Sequence, residues 1–378
     1  MAYKVTIKNG VVAAVIHDGS IPDGDRISGA KITEQVNAIP CFEFAINPDN
    51  PAFLSGIEQL TTKVTVKDLD TGNNIFIGRV LGITDSMAED GRIYKAVTCE
   101  GELGYLCDTI QQPKELTSGT LSTSVLSDII AAHNAIADAD RRFYVGNCEI
   151  VGLPEGCSYD WGNTFDTLRW IFVDCLGGEI RLRYDGGKRY IDFAKQFGKT
   201  SDTQIRLSEN MRSISRAKDI GGLITRLYPL GAVRANGARL NIEPSGLSGG
   251  KAYIEDADLV SKYGVICGII IYDDIHGDAE SLSTGAARLY RKAAADFGKI
   301  TVQSWNYTIS ALDLSYIDVD YNRFELYDSY RAVNTLAGID ETIRVTGRTL
   351  DLSQPWLSEL TFGERTTSLS TMISKSRR

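Results

Sequence analysis

The residues with the clearest potential for chemistry lie between positions 273 and 278. Asp273, Asp274, His276 and Asp278 place three carboxylates and one imidazole within six residues. Such oxygen and nitrogen donors can bind a divalent cation. The same residues would also form a solvated turn before a helix, and no distant ligand set is visible. The sequence therefore offers these four residues as weak metal candidates only, and it predicts no catalytic or cofactor-binding residue and no cofactor.

Two further segments resemble enzyme motifs in part. Residues 246–250 (Gly-Leu-Ser-Gly-Gly) have the spacing of a nucleophile elbow, which requires a strand before it and a helix after it. Pro244 precedes this segment and Lys251 follows it, so the prediction is a flexible loop. Residues 197–200 (Phe-Gly-Lys-Thr) end like a phosphate-binding loop, but Phe193 stands where the first glycine is required.

The remaining chemical signals favour packing. Residues 318–322 begin like a calcium loop, but Arg323 occupies the position that needs glycine, which favours a strand end. Asn306 opens a glycosylation sequon, which has no role in a cytoplasmic product. The 17 tyrosines and four tryptophans also suggest a carbohydrate-binding module. They are spread through core-like patterns, however. The seven cysteines are odd in number and lack C-x-x-C spacing, which predicts buried free thiols.

Size and composition indicate a soluble protein of several domains. A chain of 378 residues corresponds to two to four domains of about 100–150 residues each. Hydrophobic residues make up 43% and charged residues 24% of the chain. No apolar window reaches the ~18 residues of a membrane span. The first residues lack the pattern of a signal peptide, so synthesis in a cytoplasm without export is expected.

The net charge of -9 argues against a nucleic-acid reader, because no basic face is evident. Most of the negative charge falls within residues 1–110. An acidic surface would suit a channel through which DNA slides without sticking, since like charges repel the phosphates. Ordinary solubility explains the same charge, and both interpretations stay open.

The elements that must position these residues begin with strands. Tyr3, Val5 and Ile7 alternate on one face, and turns such as Asn9-Gly10 separate the runs. This pattern predicts an antiparallel barrel or sandwich over the first hundred residues. A short helical turn is the most that residues 58–60 could form.

A mixed region follows from about residue 107. A helical face runs from Val125 to Ile136, with a cap at residues 122–124 and His133 at its edge. A second helix spans about 164–176 and stops at Gly177. A hairpin over 179–193 completes a small α+β domain.

The second half alternates strands with a mixed insertion. Residues 213–233 read as strands, and helices are predicted over about 256–262 and 280–297. Strands resume from 301 to about 362. This order predicts a second barrel that is interrupted by an inserted domain, and the two strand-rich parts show no convincing sequence repeat.

Five segments in this order carry a family resemblance. They are residues 224–231 (Ile-Thr-Arg-Leu-Tyr-Pro-Leu-Gly), 253–256 (Tyr-Ile-Glu-Asp), 263–264 (Tyr-Gly), 273–274 (Asp-Asp) and 351–356 (Asp-Leu-Ser-Gln-Pro-Trp). Together they resemble the prophage tail protein family, the tail-associated central hub proteins of long-tailed phages. The likeness runs from the helix near Trp161 to about Phe362.

The resemblance implies a β-rich α+β fold with two tube-like antiparallel β-barrels and two smaller mixed α/β domains. The implied division is a first barrel at 1–110 and a mixed domain at 111–215. The second barrel is expected at 216–240 and 311–366. The inserted α/β domain is placed at 241–310 and a loose C-terminal tail at 367–378.

The resemblance also implies a virion structural protein at the tail tip, made in the bacterial host cytoplasm. Three copies of two barrels would mimic a ring of six, adapting a sixfold tube to a threefold tip while DNA passes without specific binding. Expected partners are further copies of the chain, distal tail and tail tube proteins, the tape-measure protein, and tail fibre, spike or receptor-binding proteins. The alternative is a tail-tip endopeptidase or cell-wall hydrolase, although no H-E-x-x-H motif or catalytic triad is visible.

Overall fold

The computed structural model describes residues 2–21, 26–54, 56–154, 157–207, 209–218, 223–273, 275–277, 281–300, 305–312, 323–355 and 357–363. The strands are β1 (Tyr3–Asn9), β2 (Val12–Asp18), β3 (Ile27–Gln35), β4 (Cys41–Ile46), β5 (Lys63–Asp68), β6 (Asn74–Met87), β7 (Ile93–Gly101), β8 (Ile110–Gln111), β9 (Tyr144–Cys148), β10 (Gly162–Asn163), β11 (Glu179–Asp185), β12 (Lys188–Ala194), β13 (Thr200–Arg206), β14 (Met211–Lys218), β15 (Arg226–Gly231), β16 (Ile254–Glu255), β17 (Cys267–Tyr272), β18 (Trp305–Leu312), β19 (Ser329–Asn334), β20 (Ile339–Asp351) and β21 (Leu357–Gly363). The α-helices are α1 (Ser122–Ile136), α2 (Thr164–Leu168), α3 (Ala257–Tyr263) and α4 (Leu282–Ile300).

One large sheet dominates the chain and confirms the β-rich α+β class. Its strands lie in the order β14-β18-β21-β20-β3-β4-β7-β6-β5-β1-β2, and β13 and β19 branch from β20. Within the described ranges this sheet is open, with β2 and β14 at its edges, and no separate closed barrel is present. No helix in those ranges is long and apolar enough to cross a membrane.

The first strands form because apolar side chains alternate along them. Tyr3, Val5 and Ile7 of β1 point into the core, where they meet Val64 and Val66 of β5. Period-two burial of this kind is what the sequence predicts for a sheet with one covered face. The 58–60 segment makes a turn in which Leu60 adopts a φ of +63°.

The mixed region packs two helices on a three-stranded sheet of β11, β12 and β9. Asn163 caps α2 by accepting a hydrogen bond from the Asp166 amide at 2.8 Å. The chain then continues as a π-helical segment, Arg169–Cys175, and turns at Gly177, which has a φ of +67°. This helix therefore stops where the sequence indicates, but its second half is wound more widely than a regular α-helix.

Two details of α1 differ from the predictions. No side chain of residues 122–124 caps this helix, because the Ser122 hydroxyl donates instead to the Glu149 carbonyl at 2.7 Å. His133 is fully buried rather than at the edge of the apolar face. Its Nδ1 lies 2.6 Å from the Thr109 hydroxyl and its Nε2 lies 3.1 Å from the Arg141 carbonyl. Burial lowers the pKa of His133, and these two partners provide a hydrogen bond for each nitrogen of a neutral imidazole.

The chain divides into two compact units, one of Met1–Ser215 with Thr308–Phe362 and one built on Arg216–Tyr307. In the second unit β15 pairs parallel with β17 and antiparallel with β16, and α4 covers one face of this small sheet. Asp256 caps α3 by accepting from two backbone amides at 3.0 Å. Residues 226–231, which the sequence assigns to the second barrel, lie in this sheet. The five-part domain division stays a prediction.

Candidate assembly surface

Strands β3 and β20 join the two strand-rich parts of the main sheet. They pair antiparallel over residues 31–35 and 347–351. On this seam the Arg348 guanidinium donates twice to Glu34, at 2.6 and 3.1 Å, and once to the Phe324 carbonyl at 2.9 Å. Charge-assisted bonds of this kind fix both distance and orientation. The early and late strands of the chain therefore form one continuous surface.

A second ion pair connects the same two parts. Arg323 Nη1 donates to Asp68 at 2.7 Å, and the Asp68 side chain is only 1% exposed. Burial acts to raise the pKa of Asp68. The bonds from Arg323 and from the amides of Asp70 and Thr71 outweigh burial and lower it. The carboxylate thus stays ionised at neutral pH and holds residue 323 against the end of β5.

The Arg79 cluster, consisting of Arg79, Glu100 and Asp108, ties the first strands to the mixed region. Arg79 of β6 is buried and donates to Glu100 of β7 at 2.8 Å and to both Asp108 oxygens at 2.7 Å. Burial alone would lower the pKa of Arg79. The carboxylates of Glu100 and Asp108 act in the opposite direction and outweigh burial, so the pKa is raised. For Asp108, burial is outweighed by Arg79 and Arg141, which lower its pKa. Arg79 and Asp108 are therefore charged at neutral pH.

The Tyr105 ring lies at the centre of three guanidinium groups. Those of Arg79, Arg141 and Arg189 lie 5.1, 5.7 and 5.3 Å from its centroid. Arg189 also pairs with the buried Glu102. Burial raises the pKa of Tyr105 to about 12, so the phenol remains neutral and offers its π face to the cations. These charged contacts thus hold the first strands against the mixed region.

Arg344 and Glu179 form the third connection, between the mixed region and the late strands. Two guanidinium nitrogens of Arg344 bind the two carboxylate oxygens of Glu179 at 2.7 and 2.8 Å. Arg344 also donates to the carbonyls of Phe197 and Tyr327 at 3.0 and 2.9 Å. Bidentate geometry and backbone bonds together define one relative orientation. These contacts connect the parts of the Met1–Ser215 and Thr308–Phe362 unit into one scaffold.

The outer strand β2 offers an uncovered edge on this scaffold. Among the described strands it pairs with β1 alone. At its second half Asn50 donates to the Ile16 carbonyl at 2.8 Å, which caps that part of the edge. The first half is bare: Val12 is 67% exposed, and Val11 in the preceding turn is 98% exposed. Residues 11–16 carry no charge. Uncharged open edges are the usual sites of strand addition by another chain.

Of the four predicted metal candidates, the structure describes Asp273 and His276. Asp273 pairs with Arg239 at 2.5 Å, and His276 is exposed in the following turn. Asp274 and Asp278 lie outside the described residues. No cluster of three potential metal ligands occurs in the part of the chain that the structure describes. The metal interpretation of this segment stays a prediction.

The enzyme-like segments serve structural roles. Ser248 follows a short 3-10 turn at Glu243–Ser245 and donates to the Ile242 carbonyl at 3.2 Å, and strand β16 comes next. This context lacks the strand-turn-helix of a nucleophile elbow. At the phosphate-loop-like segment the Lys199 amide donates to Asp328 at 2.9 Å, so a carboxylate already occupies that donor. Residues 318–322 lie outside the described ranges.

No sequence motif marks the charged residues that connect the first strands, the mixed region and the late strands. Arg79, Glu179 and Arg344 are single charged residues far apart in sequence, and nothing in their local pattern marks them as partners. A weak signal exists at Arg79, which interrupts the apolar alternation of β6 at a position that the structure buries.

Solved structures show what class of fold this is. Prophage tail protein gp18 from Listeria monocytogenes EGD-e matches with a TM-score of 0.55 and 14% identity, covering 98% of this chain and 97% of that one. The tail protein from Neisseria meningitidis MC58 gives 0.58 and 12%, covering 98% and 99%. The 43 kDa tail protein of prophage MuSo2 from Shewanella oneidensis gives 0.58 and 12%, covering 95% and 97%. The fold is that of phage tail proteins.

A known family matches the second part of the sequence. Residues 199–373 match the family described as Prophage endopeptidase tail. This match, together with the tail-protein fold, confirms the prophage tail resemblance carried by the ordered motifs of the chain. No curated protein sequence matches the chain.

Proposed function

We propose that this protein is the central hub at the distal tip of the phage or prophage tail. In this role three copies adapt the sixfold tail tube to a threefold tip and leave a passage for DNA. The observation that carries the proposal is the open main sheet, in which one subunit joins two strand-rich parts through β3 and β20. Each part acts as one tube-like module, so a trimer presents six modules.

The two edges of the sheet supply the contacts between copies. Pairing β2 of one copy with β14 of the next is a head-to-tail contact, and such contacts close into a ring when the rotation between copies fits. The acidic first third of the chain suits a lumen that does not retain DNA. Distal tail and tube proteins, the tape-measure protein and fibre or spike proteins are the partners in this role.

Solution mass tests the trimer directly. We expect native mass spectrometry of the full chain to show a trimer whose fraction increases with protein concentration. Val12→Lys should raise the trimer dissociation constant at least about tenfold, because a lysine on an edge strand opposes strand addition. Leu336→Lys, in the exposed turn between β19 and β20, is the matched control and should leave the mass distribution unchanged. A wild-type chain that stays monomeric at all concentrations contradicts the trimer.

The family description names an endopeptidase, which makes a cell-wall hydrolase the second candidate. We expect no clearing when the protein is renatured in a gel containing host cell wall, with lysozyme as the positive control. The reason is that Ser248, Asp273 and His276 have structural or exposed settings without an assembled nucleophile and base. A cleared band that persists in purified wild-type protein would establish the hydrolase instead.

A further inference from the structure

The small sheet of the second compact unit, built on Arg216–Tyr307 and called the inserted unit below, has one covered face and one uncovered face. Alternate residues, Leu227 of β15 with Ile270 and Tyr272 of β17, pack in the core with Leu289 and Phe297 of α4. The intervening residues face the other way. We call them the open face: Arg226, Tyr228, Leu230, Cys267, Ile269 and Ile271, which the parallel register pairs across β15 and β17.

The β17 side of the open face is apolar and exposed, whereas Tyr253 packs over Arg226 and Tyr228 on the β15 side. Ile269 is 54% exposed, and Val265 and Ile266, just before the strand, are 52% and 39% exposed. Cys267 is also exposed. An isolated exposed apolar residue needs no explanation, but a contiguous set on one sheet face is typical of a contact surface.

The open face carries no unbalanced charge. Residues 265–272 contain no charged side chain. The cation of the face, Arg226, is paired with Glu255 at 2.7 Å, and its guanidinium lies 4.1 Å from the Tyr253 ring. A partner that buried a charge here would leave it uncompensated, which is costly. A neutral partner is therefore favoured over nucleic acid or a charged peptide.

Strand β17 also presents a backbone edge. Among the described strands it pairs with β15 alone. Natural edge strands are usually interrupted by lysine, proline or a bulge, and uncharged runs of β-forming residues without such interruptions are prone to pair with another strand. β17 contains no charged residue and no proline, and Ile269–Tyr272, after Gly268, form such a run. Its edge and its open face can be covered together by one added strand.

We propose that β17 accepts an extended, uncharged, β-branched segment of another tail protein, which adds as a fourth strand to the small sheet. Main-chain hydrogen bonds along β17 supply affinity, and alternate apolar side chains of the added segment contact Ile269 and Ile271. This interaction is independent of the contacts that form the trimer, which use β2 and β14. It assigns the inserted unit a docking role.

A labelled peptide provides the probe. Fluorescein-Ser-Gly-Thr-Val-Thr-Val-Thr-Val-Gly-Ser should bind the full-length protein saturably in fluorescence anisotropy. The same peptide with proline in place of its central valine should not bind, because proline cannot pair in the interior of a sheet. Ile269→Lys should weaken binding at least about tenfold. Leu247→Lys, at an exposed loop position of the same unit, is the matched control and should bind like wild type.

Cys267 gives a second readout without any substitution. Saturating peptide should slow maleimide labelling of Cys267 and leave Cys107 unaffected. Burial raises the pKa of Cys107 to about 11, which makes its labelling slow throughout. Equal binding of the proline peptide, equal binding to Ile269→Lys, or no saturation at millimolar peptide overturns the proposal. Dimerisation of the wild type that Ile269→Lys abolishes also overturns it, because β17 would then pair with a second copy.

Discussion

Arg79→Ala should lower the free energy of unfolding by about 3 kcal/mol, which would make it one of the most damaging single substitutions in the chain. The reason is that Arg79 is 4% exposed and neutralises Glu100 and Asp108 at the same time. Its removal takes the shared cation from both carboxylates beside the Tyr105 ring, and Asp108 then keeps only its bond from Arg141 at 3.0 Å. The expected value is at the lower end of the range for buried pairs, because the Asp108 side chain keeps 32% exposure.

The effect should depend on pH with a defined sign. Arg79 lowers the pKa of Asp108 in the folded state, so this contribution is present above the unfolded pKa of about 3.9. It is lost as pH falls through the lowered folded pKa. Urea unfolding should therefore show the whole difference in unfolding free energy between wild type and Arg79→Ala at pH 7. This difference should decrease below about pH 4.

Two controls accompany this measurement. Arg92→Ala removes a guanidinium that is 82% exposed and paired with Asp90, and it should cost less than about 0.5 kcal/mol. Arg79→Lys keeps the charge but loses the fork that binds both Asp108 oxygens, so an intermediate effect is expected. Equal destabilisation by Arg79→Ala and Arg92→Ala would show that the cluster does not hold the first strands to the mixed region.

The sequence predicted what depends on local periodicity. Alternation of Tyr3, Val5 and Ile7 predicted β1 and its buried face, and Asp256 and Gly264 bracket α3 where the sequence placed a short helix. These features arise from side-chain spacing and capping within a few residues, and both are readable from one chain.

What the sequence could not supply are partnerships across long separations. Arg348 and Glu34 are 314 positions apart, and Arg344 and Glu179 are 165 apart. No local rule connects such residues, so the continuity of the sheet from β3 to β20 was invisible. For the same reason β15 was assigned by its strand character to the second barrel, although its parallel partner β17 lies beyond the Gly-rich loop. Short-range pattern gives elements, and tertiary contacts decide which sheet each one joins.

Gly198 illustrates how a motif-like glycine can be purely structural. It follows Phe197 in the segment that ends like a phosphate loop, yet its function in the fold is close backbone approach. A Cβ atom at this position would lie 2.2 Å from the Tyr327 carbonyl oxygen and 2.5 Å from its carbonyl carbon. Gly198 also has a φ of +91°, in the left-handed region that favours glycine.

Gly198→Ala should therefore cost at least about 3 kcal/mol, since backbone strain and steric overlap add. The overlapping atoms cannot move aside easily, because Arg344 holds the Tyr327 carbonyl and the Ser329 amide bonds to the Lys199 carbonyl at 2.9 Å. Gly187→Ala is the matched control: its φ is +75°, but no atom lies within 4 Å of the added Cβ. That control should cost about 1 kcal/mol, from backbone conformation alone. Thermal unfolding of both variants separates the two contributions. Similar melting temperatures would mean that the strands after residue 198 can shift away from Tyr327, and that the third connection is looser than its bidentate ion pair indicates.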